Sequence, residues 1–215
     1  ILAALCGVFQ HLDEHCQHPV QPQGKLYLLV DGRVPPGSGL SSSSSLVCAS
    51  ALVATGCGLF SREKQPHCLD RIELAQLCAK CEQLVGAESG GMDQSISFLA
   101  EQGSASYIQF VPKLCASTVQ LPKQCVFVLA NSMQKHSVAT GGGYNMRVVE
   151  TRLAAMVLSK RIATPQDKEY PLDDYTKITL RSVADHYNKS LNQLLKLVEV
   201  VFDSKVWCVQ QVFKL

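Results

Sequence analysis

Apolar positions along this chain repeat at two spacings, and the two spacings divide it into helices and strands. From residue 1 to 17, Ile1, Leu2, Leu5, Val8, Phe9 and Leu12 recur every three or four positions, which predicts a helix. Leu26-Tyr27-Leu28-Leu29-Val30 is a short apolar run of strand length, bounded by Gly24 and Asp31-Gly32. Leu46 to Ala54 is Ala-rich and too long for a strand, so it reads as a helix packed on most sides. Asp70 predicts the cap of a helix over Arg71 to Val85, whose stripe is Ile72, Leu74, Leu77, Cys78, Cys81, Leu84 and Val85. A turn at Gly90-Gly91 leads into a short apolar helix. Ala105 to Phe110 and Cys125 to Ala130 are rich in β-branched and aromatic residues and predict strands, with a loop from Pro112 to Pro122. Tyr144 to Arg161 is again amphipathic. After residue 162 the text turns polar, then carries helical stretches at Tyr175 to Tyr187 and Lys189 to Val201. Mixed periods of this kind predict an α+β fold.

The join between the second and third of these elements carries the chemistry. Val34 to Ser45 reads VPPGSGLSSSSS and lies between the expected strand and the buried helix. As a linker it would need polar flanks, and it has apolar ones. A helix start offers unpaired N–H groups and partial positive charge. Gly37 and Gly39 let an anion approach the backbone, and the serines add hydroxyl donors, one of which can ligate Mg²⁺. No Gly-Lys-Ser/Thr closes the loop, so it is not a Walker A motif.

PPGSGLSSSSS resembles the phosphate-binding motif of the GHMP small-molecule kinases. Gly90-Gly91-Met92-Asp93-Gln94-Ser95-Ile96-Ser97 and Asn131-Ser132 resemble galactokinases more specifically. The wording is nearest to eukaryotic N-acetylgalactosamine kinases and plant galactokinases. The resemblance covers most of residues 1 to about 160. It implies a GHMP-kinase-like mixed sheet with helices on one face over residues 1–160. Residues 161–215 would then begin an α-rich second lobe. It also implies ATP-dependent phosphorylation of the C1 hydroxyl of galactose or N-acetylgalactosamine. The ATP phosphates would lie on Gly37, Ser38, Gly39, Leu40, Ser41, Ser42 and Ser43. Mg²⁺ would be held by Ser42 and Glu82, with the choice among the serines open by one position. Asp93 would be the catalytic residue, orienting or deprotonating the sugar hydroxyl, and Gly90, Asp93 and Tyr144 would contact the sugar.

Several of these residues have plainer readings. Glu82 follows Cys78 by four and lies along the apolar stripe. A carboxylate there needs a partner. An ion pair with Lys80 or Arg71 would serve, as would exposure at the stripe's edge. Asp93 could simply cap its helix, and Tyr144 could simply pack at a helix start. His11 and His15 have the spacing of a zinc pair, with Cys16 and His18 nearby. The His-Glu-x-x-His order is absent, and a solvated helix end is expected. Cys78-Ala-Lys-Cys81 matches C-x-x-C without the turn or second pair that redox or zinc chemistry needs, so packing is expected.

Composition narrows the classes. Of 215 residues, 47% are apolar and 18% charged, which suits a real core. Net charge is +2 with no dense basic cluster, so no nucleic-acid or membrane-surface partner is expected. The longest apolar run, Leu46 to Phe60, is shorter than the roughly 20 residues of a membrane helix. Ten cysteines, with Cys48, Cys78, Cys81 and Cys125 in apolar segments, read as reduced thiols of a cytosolic protein. A monomer is expected. Ile1 in place of Met reads as a piece of a longer protein. The galactokinase pattern opens with an Arg- and Glu-bearing sugar segment and ends in a Gly-rich one, and neither is found. Little or no turnover is therefore expected from these residues alone. The rival readings are a catalytically dead galactose sensor and another GHMP kinase. The unbroken serine tract favours an enzyme over the sensor, and the Gly-Gly-Met-Asp-Gln run speaks against a mevalonate-type kinase.

Overall fold

A computed structural model describes residues 1–15, 25, 27–56, 69–86, 88–135, 143–171, 174 and 176–202. The chain forms two compact units, Ile1–Gly141 and Gly142–Leu215. The sequence reading put its boundary at 160/161. The difference is the long helix over Gly143–Ile162, which packs with the helices after it.

The first unit is built on three helices: α1 (Leu2–His15), α2 (Ser42–Gly56) and α3 (Arg71–Gln83). Each brings its apolar stripe to one core of Ala4, Val8, Leu12, Val47, Cys48, Ala51, Ala54, Leu74, Cys78 and Cys81. Small residues let the helices approach closely. The backbone of Gly7 lies so near α3 that a Cβ added there would be 2.3 Å from the Cys81 Sγ. Asp70 caps α3 as expected, accepting from Glu73 N at 2.8 Å while the Glu73 carboxylate returns to Asp70 N. A fourth helix, α4 (Met92–Leu99), follows the Gly90-Gly91 turn and packs on α2 and α3. The sheet among the described residues is a two-stranded antiparallel hairpin. Ser104–Gln109 (β1) pairs with Cys115–Gln120 (β2), in the register Ser104↔Gln120 to Gln109↔Cys115. The architecture is α+β.

Two expected strands do not form. Residues 27–30 and 126–129 have no regular secondary structure, and Leu29 is 98% and Phe127 74% exposed. A strand exists only where a neighbour takes up its N–H and C=O groups, and no described segment pairs with either. Leu26 lies outside the described residues. Cys125, read as part of an apolar segment, is exposed for the same reason. Conversely, β2 occupies the stretch read as a loop. All six of its residues are exposed, so no alternating pattern marked it. It is held by pairing with β1.

The second unit contains α5 (Gly143–Ile162), α6 (Leu180–His186) and α7 (Leu191–Val201). Ala155, Ile178, Val183 and Tyr187 form one core, and Leu158, Ala184 and Leu194 another. Thr179 and Ser190 cap α6 and α7 with reciprocal side-chain to backbone bonds. The Thr179 cap starts α6 five residues later than expected from Tyr175.

Candidate functional site

The Gly/Ser segment is a tight loop that runs directly into α2. Gly37 and Gly39 adopt φ of 73° and 76°, and Ser41 follows at 57°. Left-handed φ is easy for glycine and uncommon for serine, so Ser41 marks a strained entry to the helix. Its carbonyl accepts from Ser45 N at 2.9 Å, which opens the helical ladder. A Cβ on Gly39 would meet nothing within 4 Å among the described residues. The first turn of α2 holds no acidic residue, which leaves the positive helix end without a carboxylate of its own. Ser38 Oγ is buried and has no hydrogen-bond partner among the described residues. These features fit an anion. Leu40 and Ser43 are exposed, while Ser41 and Ser42 are half-buried.

Beneath this loop is a buried polar cluster. Glu82 of α3 is 3% exposed and Gln94 of α4 is 0% exposed. Ser44 Oγ donates to Glu82 Oε1 at 3.0 Å. Gln94 Nε2 donates to Glu82 Oε2 and, at 3.2 Å, to Ser44 Oγ. A longer contact of 3.4 Å reaches Ser89 Oγ. Both oxygens of Glu82 therefore accept, one from α2 and the other from α4. Among the described residues no ion pair reaches Glu82, so neither Lys80 nor Arg71 is its partner. The Gln94 Oε1 is buried and has no partner among the described residues. An acidic side chain and an orphaned amide oxygen beside a serine-rich helix start form a donor set suited to a hard cation. Sequence reasoning found Glu82 and chose Ser42. The hydroxyl that meets the carboxylate is Ser44, two residues further on, and Gln94 was missed. Its place directly after Asp93 was the one available signal.

Asp93 lies in the first turn of α4 and is half-buried. It is not the cap: Gly91 occupies that position with φ 82° and no side-chain cap bond. Glycine is required at 91 twice over, since a Cβ would also sit 3.1 Å from Ala79 Cβ. Gly90 and Gly91 line a cleft of about 340 Å³ with Gln76, Lys80, Ser95 and Phe110, and Asp93 is not among its lining residues. Tyr144 opens α5 in the second unit and is 42% exposed.

The remaining candidates are structural. The His11 and His15 rings stack 4.2 Å apart, and His15 Nδ1 lies 2.8 Å from the His11 carbonyl. Burial, then the neighbouring His15, holds the His11 pKa below its ordinary value. Cys16 and His18 lie outside the described residues. Cys78 and Cys81 are buried free thiols in the helical core. Asn131 Oδ1 accepts from Met133 N and Ser132 Oγ from Gln134 N.

Residues 3–101 match the GHMP kinases N terminal domain. That stretch contains the loop, Glu82 and Asp93 together. The chain belongs to the GHMP kinases. Among characterised relatives it is 44% identical over 204 residues to a galactokinase of Dictyostelium discoideum, covering 93% of this chain and 36% of that protein. A galactokinase of Schizosaccharomyces pombe is 35% identical over 184 residues, with 80% and 33% covered. One of Saccharomyces cerevisiae is 34% identical over 145 residues, with 64% and 26% covered. The chain thus spans about a third of the length of the curated relatives it matches. No described helix of this GHMP kinase chain is long and apolar enough to cross a membrane.

Proposed function

We infer that this chain supplies the phosphate- and cation-binding part of a cytosolic sugar kinase that transfers the ATP γ-phosphoryl group to the C1 hydroxyl of galactose or N-acetylgalactosamine. The observation that carries this reading is the buried Ser44–Glu82–Gln94 cluster directly under a left-handed Gly/Ser loop at a helix start. Backbone N–H groups from Gly37 to Ser43 would hold the nucleotide phosphates. Glu82, with Ser42 or Ser44, would hold Mg²⁺. When bound, that ion would neutralise charge on the phosphoryl group being transferred. Asp93, in the first turn of α4, would orient the attacking sugar hydroxyl or accept its proton. Gly90 and, in the second unit, Tyr144 are proposed as sugar contacts on the resemblance alone.

The test is thermal unfolding of the chain with ATP·Mg²⁺, galactose, N-acetylgalactosamine and mevalonate. A ligand that binds the native state raises the transition temperature with concentration. ATP·Mg²⁺ is expected to raise it, and Glu82→Gln to remove the Mg²⁺-dependent part of the rise. Galactose or N-acetylgalactosamine should add to it and mevalonate should not. No response to ATP·Mg²⁺ at millimolar concentration would refute the reading.

A further inference from the structure

Among the described residues of the first unit, Gln94 is the largest wholly buried polar side chain. Its amide is turned so that the nitrogen faces Glu82 Oε2, Ser44 Oγ and Ser89 Oγ, while Oε1 has no partner among the described residues. A buried polar atom without a partner is unusual in a folded chain. Here the alternative is worse. Turned the other way, the amide would set an oxygen against the carboxylate, and Glu82 Oε2 would lose its donor. The amide orientation is therefore dictated by Glu82. Its consequence is that both carboxylate oxygens are fixed before any cation arrives, one by Ser44 from α2 and the other by Gln94 from α4.

We propose that Gln94 is a positioning residue for cation binding: its amide locks the Glu82 carboxylate in its receptive orientation, and its free Oε1 is the acceptor for a water that the hydrated ion retains. This rests on the cation reading of Glu82 given above. Groups that hydrogen-bond to metal ligands set ligand orientation, and their loss costs about ten- to hundredfold in metal affinity. Gln94 also follows Asp93 on α4, so the same contact ties the start of that helix to the carboxylate of α3.

The experiment is Mn²⁺ binding to the full chain in the presence of ATP, followed by the loss of free-ion electron paramagnetic resonance signal. Gln94→Met keeps the side-chain volume and removes the amide. Gln94→Asn keeps an amide that is too short to reach, and serves if the Met variant unfolds. Each is expected to weaken Mn²⁺ binding about ten- to hundredfold. The affinity for metal-free ATP should stay within about twofold, because the loop amides are untouched. A purely structural role would lower both affinities together, and that result overturns the proposal. Mn²⁺ binding that survives both substitutions also overturns it and leaves the nucleotide reading standing. Failure of the unsubstituted chain to bind Mn²⁺ with ATP overturns the cation reading and this inference with it.

Discussion

How closely α1 approaches α3, the helix that carries Glu82, can be tested at Gly7. A Cβ at Gly7 would lie 2.3 Å from Cys81 Sγ, more than 1 Å inside the roughly 3.5 Å of an ordinary contact. Cys81 is 1% exposed and sits next to Glu82, so its sulfur has little room to turn away. Gly7→Ala therefore combines an overpacking cost of about 1–3 kcal/mol with a helix-propensity gain of about 1 kcal/mol. The net is a loss of about 0–2 kcal/mol. Cys81→Ala alone removes one buried heavy atom, at a cost of about 1 kcal/mol. With the sulfur gone, the neighbours of the new Cβ are Leu77 Cδ1 at 3.8 Å and the Cβ of residue 81 at 3.9 Å, both ordinary contacts. In that background Gly7→Ala should stabilise by about 1 kcal/mol. The sign of one substitution thus reverses with the other, giving a coupling of about 1–3 kcal/mol. Urea unfolding of the four proteins, read as midpoint shifts at constant slope, measures it. If Gly7→Ala has the same effect in both backgrounds to within about 0.5 kcal/mol, the helices do not pack as described.

Two further outcomes are expected. Ser44→Ala removes the donor to Glu82 Oε1 and should destabilise the chain by about 1–3 kcal/mol in urea, whereas Ser42→Ala should shift stability by no more than about 0.5 kcal/mol. Equal losses would mean that Glu82 is not held by Ser44. In the second unit, a hydrogen bond from Thr176, then contact with Lys177, pushes the Asp174 pKa down to about 2. A depressed folded-state pKa adds stability above the unfolded value of about 3.9 and loses it as pH falls toward the folded one. The melting-temperature advantage of the unsubstituted chain over Asp174→Asn should accordingly fade between about pH 4 and pH 2. A constant difference across that range would exclude the shift.

The helices were legible because each carries its own period and often its own stop or start. Asp70 and Glu73 cap α3 from within five residues of sequence, and Leu74, Cys78 and Cys81 mark its buried side without reference to the rest of the chain. The Gly/Ser loop was legible for a similar reason, since Gly37 and Gly39 answer a local demand for left-handed backbone. Strands are not local. Residues 27–30 and 126–129 have β-forming composition and remain unpaired, while Cys115–Gln120 has a weak pattern and pairs fully. What decides a strand is whether another segment presents its hydrogen-bonding edge.

The sequence by itself determined which residues could serve the site, namely a glycine-bent loop, a run of serines, one acid in an apolar stripe and another after two glycines. Only the tertiary structure decided which of them meet. Helical period alone cannot choose among adjacent serines, because neighbouring residues face directions about 100° apart and the partner helix is set by packing. The packing of α2, α3 and α4 brought Ser44 to Glu82 and enlisted Gln94, since a buried carboxylate must draw donors from whatever elements surround it.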